Sequence, residues 1–156
     1  MTLRKEQSAY LDPMNSIGYL SRINFRAFSR ALEKLTIKHG VTAGQWRFLR
    51  VLWEEDNITQ RELSDRVGIK EATTVRAVTR LVKDRFVTRN ACASDKRKLR
   101  IVLTPKARRL RAKLIPMVLE VNERAIKGLS RDDIDTTRRV LARTHANLAA
   151  DLEQQP

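Results

Sequence analysis

The sequence has 156 residues, 42% of them hydrophobic, enough for one domain or one domain with an appended helical element. Lys and Arg number 32 against 18 Asp and Glu, a formal net charge of +14, which favours a polyanionic partner, either nucleic acid or an anionic membrane surface. A single Cys excludes an internal disulfide framework, no stretch approaches the roughly 18 apolar residues of a membrane span, and the first thirteen residues lack a signal-peptide core, so a soluble cytoplasmic protein is expected.

Residues 1–13 are polar and end in Asp12-Pro13, which reads as a flexible arm. From Met14 to about His39, Ile17, Leu20, Ala27, Phe28, Ala31 and Leu35 recur at helical spacing, and Gly40 follows as a C-cap. Thr42-Ala-Gly-Gln45 is a capping box, with Val41 and Trp46 as the hydrophobic staple around it. The helix it opens carries Trp46, Leu49, Leu52 and Trp53 on one stripe and stops in the polar cluster Glu54–Asn57.

The same start signal recurs at once. Thr59 is the N-cap and Glu62 closes the box, with Ile58 and Leu63 as the staple; Gly68 ends this short third helix. A fourth helix is expected from Lys70 to Arg85, with Val78 and Leu81 facing inward and either Thr74 or Val75 completing the stripe. Then the period changes. Phe86–Asn90 reads as a strand, 91–99 as a charged loop and Arg100–Leu103 as the returning strand. Thr104-Pro105 starts a long basic helix that reaches about Lys127, with Pro116 expected to kink it. Gly128 ends that helix, and Ser130 starts a last one carrying Ile134, Val140, Leu141, Leu148 and Leu152.

Helix, short helix, Gly turn, helix and β-hairpin is the order of a winged helix-turn-helix, giving a mainly α fold with a small β-hairpin wing. The charge distribution points the same way. Residues 57–113 hold 17 of the 32 basic residues but only 5 of the 18 acidic ones, a local net of +12. The positive charge therefore lies on the motif that would meet DNA. A membrane surface is the weaker reading, because no long basic amphipathic helix carries a wide aromatic or Leu face.

The fourth helix would be the reader of the major groove, presenting Lys70, Glu71, Thr73, Thr74, Arg76 and Arg80. Arg76 has the fork that pairs with guanine O6 and N7. Thr73 and Gln60 are short donors near helix N-termini, where a phosphate fits, while Arg80 reads equally as a phosphate contact or a solvated side chain. The loop from Ala91 to Leu99 supplies the wing. Lys96, Arg97 and Lys98 repel one another at its tip unless they enter a minor groove, and Asp95 is placed to orient Arg97. Catalysis is not expected: His39 and His145 lie in no metal spacing and beside no nucleophile pattern, and there is no Gly-rich phosphate loop, so no cofactor and no metal is expected.

Residues 14–150 resemble the MarR family of dimeric winged-helix regulators. The resemblance is carried by Ile58-Thr-Gln-Arg-Glu-Leu-Ser-Asp-Arg-Val-Gly-Ile69, Thr73, Leu81, Phe86-Val-Thr-Arg89, Ser94-Asp-Lys-Arg97 and Ile101-Val-Leu-Thr-Pro105. The sequence departs from the family pattern at Lys70, where a small capping residue is common, and at Arg85, where Gly is usual. The resemblance implies a winged helix-turn-helix over 41–105 and a helical dimerisation region formed by 14–40 and 106–152. It implies a homodimer on a pseudo-palindromic site, with Arg97 in the flanking minor groove. It further implies a repressor released by a small anionic aromatic ligand, an aromatic carboxylate or its coenzyme A thioester. By that analogy Phe25, Phe28, Trp46, Arg47 and Met117 would line a pocket between the first two helices and the fifth. Cys92, in the wing loop, reads as a bystander to redox control. The competing reading is an architectural DNA-binding protein that no ligand controls.

Overall fold

The computed structural model describes residues 12–91 and 99–154. The chain divides into two compact units, residues 1–121 and 122–156.

A 3-10 turn at Pro13–Asn15 is capped by Asp12, whose carboxylate accepts from Met14 N at 2.9 Å. Ser16 then caps α1 (Ile17–Thr36), accepting from Tyr19 N at 3.2 Å. The single helix expected from Met14 is thus three elements: Asp12 and Ser16 each supply a start signal, and a 3-10 turn at Ile37–His39 follows α1. Gly40 sits at φ +75°, the left-handed conformation that ends the chain's first helical stretch.

Both capping boxes form as the sequence indicates. Thr42 and Gln45 open α2 (Ala43–Glu54); Thr59 and Glu62 open α3 (Gln60–Val67). The helix α4 spans Glu71–Lys83, two residues short of the expected end. Arg85 takes φ +60° there and does the turning that Gly would do more cheaply.

Three strands form a sheet of order β1-β3-β2, from β1 (Ile58–Thr59), β2 (Val87–Ala91) and β3 (Leu99–Leu103). The sequence reading missed β1. A pair as short as Ile58↔Ile101 and Thr59↔Arg100 has no period of its own and exists because β3 presents a free edge to it. Thr104 caps α5 (Pro105–Ala125), accepting from Ala107 N at 3.2 Å. Pro116 lies inside α5, and the helix runs on past it.

The core of the first unit is one cluster. Leu49, Leu52, Leu63, Val78, Leu81, Phe86, Ile101 and Leu114 are all but fully buried, drawn from α2 through α5 and the sheet. Trp46 and Trp53 meet edge to face, with centroids 5.5 Å apart. Trp53 also donates its indole N–H to Ala107 O at 3.0 Å, which ties α2 to α5. In the second unit Gly128 turns the chain at φ +83°, and Ser130 and Asp133 exchange hydrogen bonds as a capping box for α6 (Arg131–Gln154). Val140, Leu141 and Leu148 of α6 are exposed, and Ile134 is half-buried.

Between α3 and α4 the turn is held by buried hydroxyls. Ser64 Oγ donates to Ile69 O at 2.6 Å, and Thr74 Oγ1 donates to Ser64 Oγ at 3.1 Å. Ser64→Ala strips Ile69 O of its donor and leaves the Thr74 hydroxyl only the longer bond to Lys70 O at 3.5 Å, so we expect a loss of about 1–3 kcal/mol in urea unfolding. An unchanged midpoint would show that the relay does not fix the turn.

Candidate nucleic-acid interface

The site is built from α3, α4 and the β2–β3 ribbon. The N-terminus of α3 is held by Thr59 and Glu62: Glu62 Oε2 accepts from Thr59 N at 2.6 Å, and Thr59 Oγ1 accepts from Glu62 N at 3.2 Å. These bonds, the backbone one first, hold the Glu62 carboxyl below the ordinary glutamate range, with Arg100 and Arg66 adding smaller pulls in the same direction. Gln60 sits half-buried at the first position of the helix.

The α4 stripe is set by which side chains the core takes. Val78, Leu81 and Thr74 are buried, and Val75 is 42% exposed. Thr74, counted above as a groove contact, is at 0% exposure and belongs to the hydroxyl relay with Ser64. A short polar residue could take the inward position because Ser64 offers it a partner. Lys70, Glu71, Thr73, Arg76 and Arg80 are all exposed. Thr73, Arg76 and Arg80 follow the i, i+3, i+7 spacing that lines one helix face. Lys70 provides no side-chain cap, and the first turn of α4 is closed only by backbone bonds from Thr73 N and Thr74 N to Lys70 O. Among the described residues, neither Arg76 nor Arg80 has an ion-pair partner.

Other residues orient the helix and ribbon, and the sequence reading passed over them. Gln45 donates to Asp84 Oδ2 at 2.5 Å, joining the start of α2 to the end of α4. Asp56 accepts from Leu103 N at 2.8 Å and pairs with Arg108 at 2.7 Å, so one carboxylate fastens the α2–β1 corner to β3 and α5. Arg89 in β2 donates to Thr79 Oγ1 of α4 at 2.7 Å. The one signal available for Arg89 was its place in the strand motif. The sequence marks Asp56 only as the acceptor for the neighbouring Asn57 N, at 2.8 Å, since Leu103 and Arg108 lie about fifty residues away. Asp95, Lys96, Arg97 and Lys98, and Cys92 beside them, lie outside the described residues.

The ligand candidates are not brought together as a set. A groove of about 490 Å³ lies along α2 and α3, lined by Trp46, Arg47, Arg50, Val51, Glu54, Arg66 and Val67. Trp46 and Arg47 belong to it. Phe25 adjoins through the Arg47 guanidinium, 5.7 Å from its ring centre. Phe28 is 38% exposed on α1 and Met117 is half-buried on α5; neither lines the groove. Arg50 and Arg66 were not anticipated, because their convergence needs α2 and α3 to cross.

Among the described residues no cluster of His, Cys, Asp and Glu could hold a metal, and no helix is long and apolar enough to cross a membrane. The MarR family model matches residues 41–99. A curated relative, the HTH-type transcriptional regulator TtmR of Methylorubrum extorquens, is 34% identical over 88 residues, 56% of this chain and 45% of its own. The match thus spans about half the length of that relative. The solved transcriptional regulator PA3341 is 31% identical, covering 86% of this chain and 99% of its own, with a TM-score of 0.74. The fold is shared at 23% identity with a putative MarR family regulator from Listeria monocytogenes solved with 26mer DNA (TM-score 0.79, covering 88% and 91%). It is shared at 22% with CouR from Rhodococcus jostii bound to p-coumaroyl-CoA (TM-score 0.71, covering 83% and 91%).

A carboxyl held below its ordinary range adds stability that is complete above that range and is lost as pH falls through the lowered value. Glu62→Gln should therefore flatten the acid limb of the unfolding midpoint as pH falls through and below the ordinary glutamate range. An acid limb as steep as in the wild type would place the responsible carboxylate elsewhere.

Proposed function

Because the chain belongs to the MarR family of transcriptional regulators, a family of regulators and not of enzymes, we propose that it is a sequence-specific repressor. It binds a pseudo-palindromic operator as a homodimer. The observation that carries this reading is the exposed Thr73–Arg76–Arg80 stripe of α4, set in a segment of local net charge +12. Arg76 reads guanine in the major groove, Arg97 enters the flanking minor groove, and the uncapped N-terminus of α4 meets phosphate. The solved regulator from Listeria, which shares the fold, was captured with DNA, and that supports the reading.

A second copy covers the apolar side chains that α1 and, in the other unit, α6 leave in water. Phe25 and Phe28 are exposed on α1, as are Leu141 and Leu148 on α6. Apolar groups clustered on a helix face in this way mark an association surface.

The effector is a small aromatic acid or its coenzyme A thioester. The groove along α2 and α3 supports this, since it places an indole beside three guanidiniums within a volume suited to a small ligand. The anion pairs with Arg47, Arg50 or Arg66 and the ring lies against Trp46.

Genomic fragments selected by the purified protein supply the operator. On it, Arg76→Ala should lose roughly 1–3 kcal/mol of discrimination against a changed guanine, and Arg97→Ala should weaken binding. Wild-type binding by both variants would refute the docking. Equal affinity for operator and random DNA would leave a general DNA-binding protein. For the effector, Trp fluorescence should respond to one member of a panel of aromatic acids and thioesters, and that compound should release the operator. No response across the panel would remove the ligand from the proposal.

A further inference from the structure

The β2–β3 ribbon leaves the body of the first unit within a few residues. Val87, Ile101 and Leu103 are buried, whereas Thr88 to Ala91 and Leu99 are exposed. Beyond this buried base, the described side chains of the ribbon are exposed or half-buried. Two guanidiniums act at that level. Arg89, paired in register with Ile101, uses Nη2 to reach Thr79 Oγ1 at 2.7 Å and Val75 O at 3.4 Å. Arg100, paired with Asn90, donates from Nη1 to Asn57 O at the α2–β1 corner.

The acceptors are prepared for these donors. Thr79 Oγ1 donates its own proton to Val75 O at 2.9 Å, which leaves its lone pairs for Arg89. Asn57 sits at φ +60°, a conformation Asn adopts more readily than most residues, and its carbonyl is the one that Arg100 reaches. Arg89 and Arg100 are consecutive in the β2–β3 ladder and act from opposite faces of it, because successive side chains alternate.

We propose that Arg89 and Arg100 are a pair of straps that set the angle of the wing to the recognition helix. They are positioning residues whose partners are protein atoms, not DNA phosphates. Held at one angle, the ribbon delivers its tip to the groove next to the one that α4 reads. Released, it must be ordered again on each binding event, and that ordering entropy lowers affinity.

The affinity part of the test rests on the DNA-binding reading; the exchange part does not. In the full-length protein without DNA, Arg89→Ala, Arg100→Ala and Thr79→Val should each speed amide hydrogen exchange at residues 88–91 several-fold, with core amides of α2 unchanged. Unchanged exchange at 88–91 would overturn the proposal whether or not the protein binds DNA. On the operator, Arg89→Ala should weaken binding roughly threefold to tenfold, with the slope of log affinity against log salt unaltered. A slope reduced by about 0.9 would mean a lost phosphate contact and overturn the strap. Thr79→Val should add little to Arg89→Ala, since both cut the same tie. Full additivity would count against it. Arg89→Lys keeps the charge without the planar fork and should behave like Arg89→Ala; wild-type affinity for Arg89→Lys would show that charge alone matters.

Discussion

Everything this protein presents to solvent on α4 depends on the buried contact between two small hydroxyls. Ser64 and Thr74 lie at 3% and 0% exposure and close the turn between α3 and α4. Because Ser64 also donates to Ile69 O, the relay spans the whole turn and leaves few angles at which the two helices can meet. A hydrophobic pair would also pack there, but it would leave Ile69 O without its bond from Ser64. Gly68, left-handed at φ +71°, makes the reversal that brings the partners together. The exposed stripe of Thr73, Arg76 and Arg80 is the far side of that same packing decision.

The wing depends on a second set of constraints, reached through the sheet. Asp56 is 27% exposed at its side chain and gathers a strand amide and the Arg108 guanidinium. Ion pairs this exposed add little to stability by themselves. Here the value is geometric, since one side chain aligns the α2–β1 corner with the end of β3 and the first turn of α5. Thr104 and Lys106 repeat the theme on the β2 side of the same base, where Thr104 Oγ1 donates to Arg85 O at 2.8 Å and Lys106 lies over the Phe86 ring at 4.4 Å. The long helix and the winged segment are thus joined by polar ties on both sides of the β2–β3 base.

Charge and fold are in tension over residues 57–113. A local net of +12 repels itself, and the fold offsets this only in part. Arg66 pairs with Glu55 at 2.5 Å and Arg108 with Asp56, while Arg89 donates to a hydroxyl and a carbonyl and Arg100 reaches the Asn57 carbonyl. Arg76 and Arg80 have no carboxylate partner among the described residues. Cations in that condition are what a polyanion neutralises most favourably, by releasing its own counterions. The groove along α2 and α3 has a similar character on a smaller scale, with Arg50 held only loosely, 3.9 Å from Glu54.

By itself the sequence determined the parts whose causes are local. Both capping boxes, the Gly turns at 40, 68 and 128, the Trp46–Trp53 stripe and the basic winged segment are written within a few residues of where they act. Tertiary structure decided whatever needed a partner from far along the chain. It chose Thr74 over Val75 for the core because Ser64 was waiting, ten residues back. It formed β1 against the open edge of β3, and it turned the chain at Arg85 without a Gly, because Phe86 N and Thr104 Oγ1 supply bonds on either side. It also gave Asp56, Arg89 and Arg100 their duties, which no spacing in the sequence announces. The winged motif was legible because helix caps and periods are short-range; the angle at which it is held is a long-range property.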